Sequence, residues 1–143
     1  MSSDIRVVVD TNVLISGLFG IKDSPSSQIL NAIRSQKIIL VTSPVILEEA
    51  VEVMNRKRIV KLTKMSPKER ADFMDQLIER SEVTAGKQLQ QMIGRDAKDD
   101  KFLACAVEAK ADYIISGDED LLDLKEYEGI KIVTPRQFLE ILK

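Results

Sequence analysis

The sequence predicts an α/β fold, a single domain over residues 1–143 built on a mostly parallel sheet with helices in the right-handed crossovers. Three observations lead there. Short runs at Ile5–Val9, Ile38–Val41, Tyr113–Ile115 and Ile130–Val133 are almost continuously apolar rather than alternating, as strands buried on both faces are. Segments of helical period separate them. The chain has 143 residues, of which 44% are hydrophobic and 31% charged, so it is long enough for one substantial core. It shows no repeat, linker or low-complexity tract.

Ile5–Val9 is the first strand and runs straight into Asp10. Asn12–Phe19 follows as a helix stopped by Gly17 and Gly20. Ser24-Pro25-Ser26-Ser27 forms a turn that opens a second helix, with Ile29, Leu30 and Ile33 as its apolar stripe. After the strand at Ile38–Val41, Ser43 offers a capping oxygen and Pro44 a preset φ at the first helical position. Ile46, Leu47, Ala50, Val51, Val53 and Met54 then recur with helical spacing. Ser66-Pro67 repeats the start signal ahead of Phe73, Met74, Leu77 and Ile78. Residues 84–95, which include Gly86 and Gly94, lack a period and read as a loop. A helix over 96–109, the strands at Tyr113–Ile115 and Ile130–Val133, and a helix at Pro135–Leu142 complete the chain.

Absences narrow the chemistry. The chain has no histidine and one cysteine, Cys105. That excludes Ser-His-Asp and Cys-His catalysis, His- or Cys-ligated zinc, an internal disulfide and a CxxC redox pair. Carboxylates, hydroxyls, Lys/Arg and hard metal ions remain. Cys105 lies between Ala104 and Ala106 and reads as packing. The first residues carry Asp4 and Arg6 within a short apolar core, unlike an export signal. No stretch approaches the ~18–20 apolar residues that span a bilayer. The expectation is a cytoplasmic protein with no membrane partner. The net charge of −2 conceals an uneven distribution. Between Arg56 and Arg70 stand seven basic residues against Glu69 alone, so that segment carries +6 and the rest of the chain −8.

Ligands of an open parallel sheet bind beyond the carboxyl ends of its strands. Two predicted strands end in acids here. The first leads into Asp10, Thr11 and Asn12, and the strand at 113–115 into Ser116, Gly117, Asp118, Glu119 and Asp120. One such Asp is commonly the cap of the next helix; two in one small sheet point to a shared function. In the 96–109 helix, Phe102, Leu103, Ala106 and Val107 form the apolar stripe. Asp99 lies on that stripe one turn earlier, and Asp100 is rotated by about 100° from it. Asp96 with Asp99 also fits a capping box. Glu48 and Glu49 flank their own stripe on opposite sides, and periodicity does not choose between them. Carboxylates converging from four segments repel one another and titrate upward unless a cation joins them. An all-oxygen donor set suits Mg²⁺ or Mn²⁺, and such ions activate water against phosphodiesters.

In order along the chain, VVVDTNVLISGLF, SPVILEEAVEVMNR, RDAKDDKFLACAVEAKADYIISGDEDLL and IKIVTPRQFLEIL resemble the PIN domain. More narrowly they resemble the VapC-like nuclease toxins of prokaryotic toxin–antitoxin systems. The resemblance covers nearly the whole chain. It implies a three-layer α/β/α PIN-like fold and a Mg²⁺- or Mn²⁺-dependent ribonuclease that hydrolyses RNA phosphodiester bonds. It also implies a homodimer and an antitoxin whose tail blocks the acidic pocket. Carried over residue by residue, the catalytic, metal-binding acids are Asp10, Glu49, Asp99 and Asp118, with Asp120 as an additional metal ligand. The V-x-V-M-x-R tail selects Glu49 over Glu48. Asn12 supports the first Asp, and Ser116 occupies a position where the family usually has Thr or Ser. GRDAKDD departs from the family's CRDPKDN: the missing proline loosens the helix start, and Asp100 adds a charge that competes with Asp99 for metal.

Two rivals compete with this reading. A haloacid-dehalogenase-like phosphohydrolase also places an Asp after its first strand, and Gly117, Asp118 and Asp123 fit its GDxxxxD motif. It needs a second Asp where this chain has Asn12. A non-catalytic interaction module would keep the metal and cut nothing. For RNA binding the candidates are Arg56, Arg58 and Lys61, read against a merely solvated helix end and connector.

Overall fold

The computed structural model describes residues 5–19, 23–87 and 97–143, the side chains of 97–99 excepted. Three consecutive valines fix the centre of the sheet. They belong to strand β1 (Arg6–Val9), in which Val7 and Val9 enter one apolar cluster and Val8 the other. Successive side chains of a strand point to opposite faces, so β1 is buried on both. It pairs in parallel with β2 (Ile39–Thr42), Val7 opposite Leu40, and with β4 (Tyr113–Ile115), Val9 opposite Ile115. Beyond them β2 pairs with β3 (Ser81–Val83) and β4 with β6 (Ile130–Val133), both in parallel. The short β5 (Glu126–Tyr127) is antiparallel to β6. The strand order is β3-β2-β1-β4-β6-β5.

Helices close both faces. Val7 and Val9 pack with α1 (Thr11–Phe19), α2 (Pro25–Arg34), α5 (Pro67–Glu79) and α8 (Pro135–Leu142). Val8 packs with α6 (Ala97–Ala109) and with Leu121 of α7 (Glu119–Leu122). The helix α3 (Pro44–Met54) gives Ile46 to the second cluster and Ala50, Val53 and Met54 to the first, so it bridges the two layers. The predicted α/β/α architecture is the one observed. Cys105 is buried in the second cluster, and burial pushes its thiol up to about 12, which makes it an inert packing group.

The predicted start signals work as capping chemistry. Ser24 accepts from the Ser27 N–H and Ser43 from the Ile46 N–H, each ahead of a proline in the first turn. Ser66 with Glu69 forms a complete capping box, and so does Thr134 with Gln137 at the head of α8, a start the sequence reading did not single out.

Several expectations fail, for local reasons. Gly17 does not stop α1, which continues to Phe19. Its missing side chain serves a close approach instead, since a Cβ there would lie 2.9 Å from the Ser26 carbonyl oxygen of α2. Val51 and Ile78, expected on apolar stripes, are 45% and 43% exposed. The stretch 57–63, expected as a connector, forms α4 (Lys57–Thr63), while β3, α7 and β5 carry no apolar pattern long enough to predict. Gly20, Gly94, the Asp96 cap and the loop beyond residue 87 lie outside the described residues. No helix among the described residues is long and apolar enough to cross a membrane.

Candidate active site

The register of the two central strands sets the site. With Val9 opposite Ile115, the next residues of each strand, Asp10 and Ser116, stand side by side at the carboxyl end of the sheet. The Asp10 N–H donates to the Ile115 carbonyl at 2.9 Å and extends the ladder by one residue. The fully buried Ser116 hydroxyl donates to Asp10 Oδ2 at 2.8 Å. The Asn12 N–H donates to Asp10 Oδ1 at 3.1 Å, so both carboxylate oxygens are held. Ser116 Oγ in turn accepts from the Asp118 N–H at 2.9 Å. Asp118 caps the short α7, its Oδ1 accepting from the Asp120 N–H at 2.9 Å. One serine oxygen thus ties the loops after β1 and β4 together.

Burial and hydrogen bonding pull the Asp10 pKa in opposing directions. Burial raises its pKa above the ordinary value, and the charges of Asp118 and Glu49 raise it further. The hydrogen bonds from Ser116 and Asn12 lower it, and burial prevails.

Glu49 reaches the site from α3, while Glu48 is exposed. Glu49 Oε2 lies 3.0 Å from Nζ of Lys101, whose side chain is only 10% exposed on α6. An open cleft of two lobes results, with Asp10, Asn12 and Asp118 lining both. The larger lobe, about 360 Å³, adds Val13, Ser16, Ser26, Gly117 and Pro135. The smaller, about 190 Å³, adds Glu49, Val53, Arg56, Lys101 and Phe102. Arg56 pairs with Glu52 at 2.8 Å in solvent.

Of the residues singled out from sequence, Asp10, Asn12, Glu49, Asp118 and Arg56 line this cleft, and Ser116 lies buried beneath it. Asp120 is exposed and lines neither lobe, and Arg58 and Lys61 are exposed on α4. Asp99 falls in the first turn of α6, its side chain outside the described residues. Residues 100–106 are all buried, Asp100 included at 8% exposure. The helix therefore has no single apolar stripe there, and the spacing that separated Asp99 from Asp100 loses its force. Among the described residues no three Asp, Glu or Cys side chains stand close enough to hold an ion between them. Sequence reasoning missed Lys101. The signal was the unbroken apolar run Phe102–Ala106, which marks a helix turn buried all round and carries its neighbours inward.

Three comparisons bear on this arrangement. A PIN domain family model matches residues 6–120. An uncharacterized protein of Methanocaldococcus jannaschii is 33% identical over 152 aligned positions, covering 95% of this chain and 90% of that relative. Among solved structures, VapBC2 from Rickettsia felis bound to a DNA fragment from their promoter superposes with a TM-score of 0.55 at 13% identity, covering 90% of this chain and 97% of that one. FitAB bound to the IR36 DNA fragment gives 0.53 at 14% identity, covering 90% and 94%. At those identities the likeness to both structures is one of fold.

Proposed function

The chain belongs to the PIN domain family, and on that footing we propose that it is a Mg²⁺- or Mn²⁺-dependent endoribonuclease, the cytoplasmic toxin of a toxin–antitoxin pair. The observation that carries this reading is Asp10, a buried carboxylate with both oxygens aligned, beside Asp118 in an open cleft at the end of a parallel sheet. The donor set fits a hard cation. The candidate ligands offer oxygen alone, and a divalent ion would compensate the burial that chiefly raises the Asp10 pKa, together with the smaller repulsion from Asp118 and Glu49. Asp10 and Asp118 would hold the ion, with Glu49, Asp99 and Asp120 as further acids. When bound, it supplies Lewis acidity and a more acidic water for attack on a phosphodiester.

The chain's own residues do the positioning. Ser116 and the Asn12 N–H lock the Asp10 rotamer, and Ser116 fixes the Asp118 backbone, so the two acids are set before substrate arrives. Arg56 at the cleft, continued by Arg58 and Lys61 on α4, supplies phosphate contacts that position an RNA strand without reading its sequence. The fold likeness to VapBC2 and FitAB supports an antitoxin as partner, and we place a homodimer in the same proposal.

The test incubates the protein with labelled single-stranded RNA and, in parallel, a chromogenic phosphomonoester, each with Mg²⁺ or Mn²⁺ and again with EDTA. RNA should be cut only with metal, and Asp10→Asn should cut none while remaining folded. Equal cleavage by wild type and Asp10→Asn would end the proposal. Hydrolysis of the phosphomonoester alone would move the chain to phosphohydrolase chemistry, and metal binding without either reaction to a non-catalytic module.

A further inference from the structure

We propose that Lys101 is a built-in counter-cation of the acidic cleft, held on Glu49 until a divalent ion displaces it. The inference deepens the reading above and rests on it for the metal alone. Lysines on helix surfaces normally extend their stems so that the ammonium stays in water. Lys101 does not: its side chain is 10% exposed and its Nζ stands 3.0 Å from Glu49 Oε2. The same ammonium lies 4.8 Å from the centroid of the Phe102 ring. Burying an ammonium is unfavourable unless it is paired, and the pairing found is with a carboxylate that lines the cleft.

Charge explains why a cation belongs there. Asp10, Glu49 and Asp118 line the smaller lobe, and the charges of the latter two act on Asp10. The lobe's described cations are Arg56 and Lys101. Arg56 is engaged by Glu52 in solvent, whereas Lys101 enters the interior. Lys101 therefore balances the acids of the metal-free cleft. Glu49 cannot give the same oxygen to an ammonium and to a metal ion at full strength, so divalent binding at Glu49 is an exchange. A fixed positive charge at contact distance repels a divalent ion twice as strongly as a monovalent one, and its removal strengthens metal binding.

The test measures Mn²⁺ affinity by electron paramagnetic resonance of the free ion, with no RNA present. Lys101→Met, similar in shape and uncharged, should bind Mn²⁺ at least about fivefold more tightly than wild type. Lys101→Arg should restore the wild-type affinity. Lys131→Met, an exposed position at the opposite end of the sheet, should leave it unchanged. In a Glu49→Gln background the gain from Lys101→Met should shrink, because the exchanging partner is gone. Equal or weaker Mn²⁺ binding by Lys101→Met would overturn the proposal and make the lysine an orienting group for Glu49. Should Lys101→Met fail to fold, the wild type carries the test. Acetylation of Lys101, followed by mass spectrometry, must then be faster with Mg²⁺ than without it, and an unchanged or slower rate overturns the exchange. A protein that shows the exchange but cuts no RNA counts against the ribonuclease reading alone. One that cuts RNA with a Mn²⁺ affinity indifferent to Lys101 counts against this inference alone.

Discussion

Asp10 opposes folding in the metal-free protein. Its pKa is raised above 3.8, so the folded state binds its proton more tightly than the unfolded chain does. The stabilisation that protonation brings is complete below the ordinary Asp range and is lost as pH rises through the raised value. At neutral pH the buried charge is a net burden. Asp10→Asn should therefore unfold at higher urea than wild type at pH 7 in EDTA, with the difference vanishing as the buffer falls below pH 3.8. Saturating Mg²⁺ should reverse the order, because it stabilises only the chain that binds it. The neighbouring pair on α6 gives a second comparison. On the proposed reading Asp99 is the third acid, so Asp99→Asn should slow RNA cleavage at least about tenfold, roughly 1.4 kcal/mol of barrier. Asp100→Asn should act mainly on stability, since Asp100 is buried. A rate loss confined to Asp100→Asn would shift the register by one. At this scale the sequence is legible where a residue ends a strand. Asp10, Ser116 and Asp118 follow from the rule that sites form beyond carboxyl ends, whereas Lys101 faces inward because of what packs around α6, which its own chemistry does not announce.

Gly17 shows how an element can be read correctly and its glycine wrongly. Gly→Ala inside a helix ordinarily stabilises by about 1 kcal/mol. Here the new Cβ would meet the Ser26 carbonyl oxygen at 2.9 Å, a backbone atom that yields only if α2 moves. Gly17→Ala should therefore destabilise by about 1–3 kcal/mol in urea unfolding, and a gain in stability would show that α1 and α2 separate easily. Elements with a chemical start signal were legible: Ser24, Ser43 and Ser66 each stand before a proline and each caps a helix, as Thr134, not singled out from sequence, also does. The missed elements lack such signals. In β3 the sequence is Ser-Glu-Val at a sheet edge, where one face needs no apolar side chain. In α4 no residue is buried and Arg56 gives no side-chain capping hydrogen bond to the helix start, so its helicity left no periodic trace.

Across the whole molecule, charge is segregated from composition. The chain is acidic overall, yet α4 and its flanks carry Arg56, Lys57, Arg58, Lys61 and Lys64, all exposed, next to the lobe that holds Glu49. Changing Arg56, Arg58 and Lys61 together to Ala should weaken RNA binding similarly across sequences and flatten its dependence on salt, with Mn²⁺ affinity unaltered. An unchanged salt slope would show that the strand enters elsewhere. The parallel sheet was legible because doubly buried strands read as unbroken apolar runs, but its order was not, since adjacency of β1 and β4 appears only in space. That adjacency has a temporal side. The Asp10–Ser116 hydrogen bond spans 106 positions of the chain. Closing so long a loop is entropically late, and contacts of this separation slow folding. During synthesis at about 5–20 residues per second, Asp10 emerges roughly 5–20 seconds ahead of its serine. A nascent chain halted before β4 carries the first acid and the α3 glutamate without the serine that holds Asp10 Oδ2 and fixes the Asp118 backbone. Strand order thus acts as a clock, and the cleft is completed only once β4 has joined β1 at the centre of the sheet.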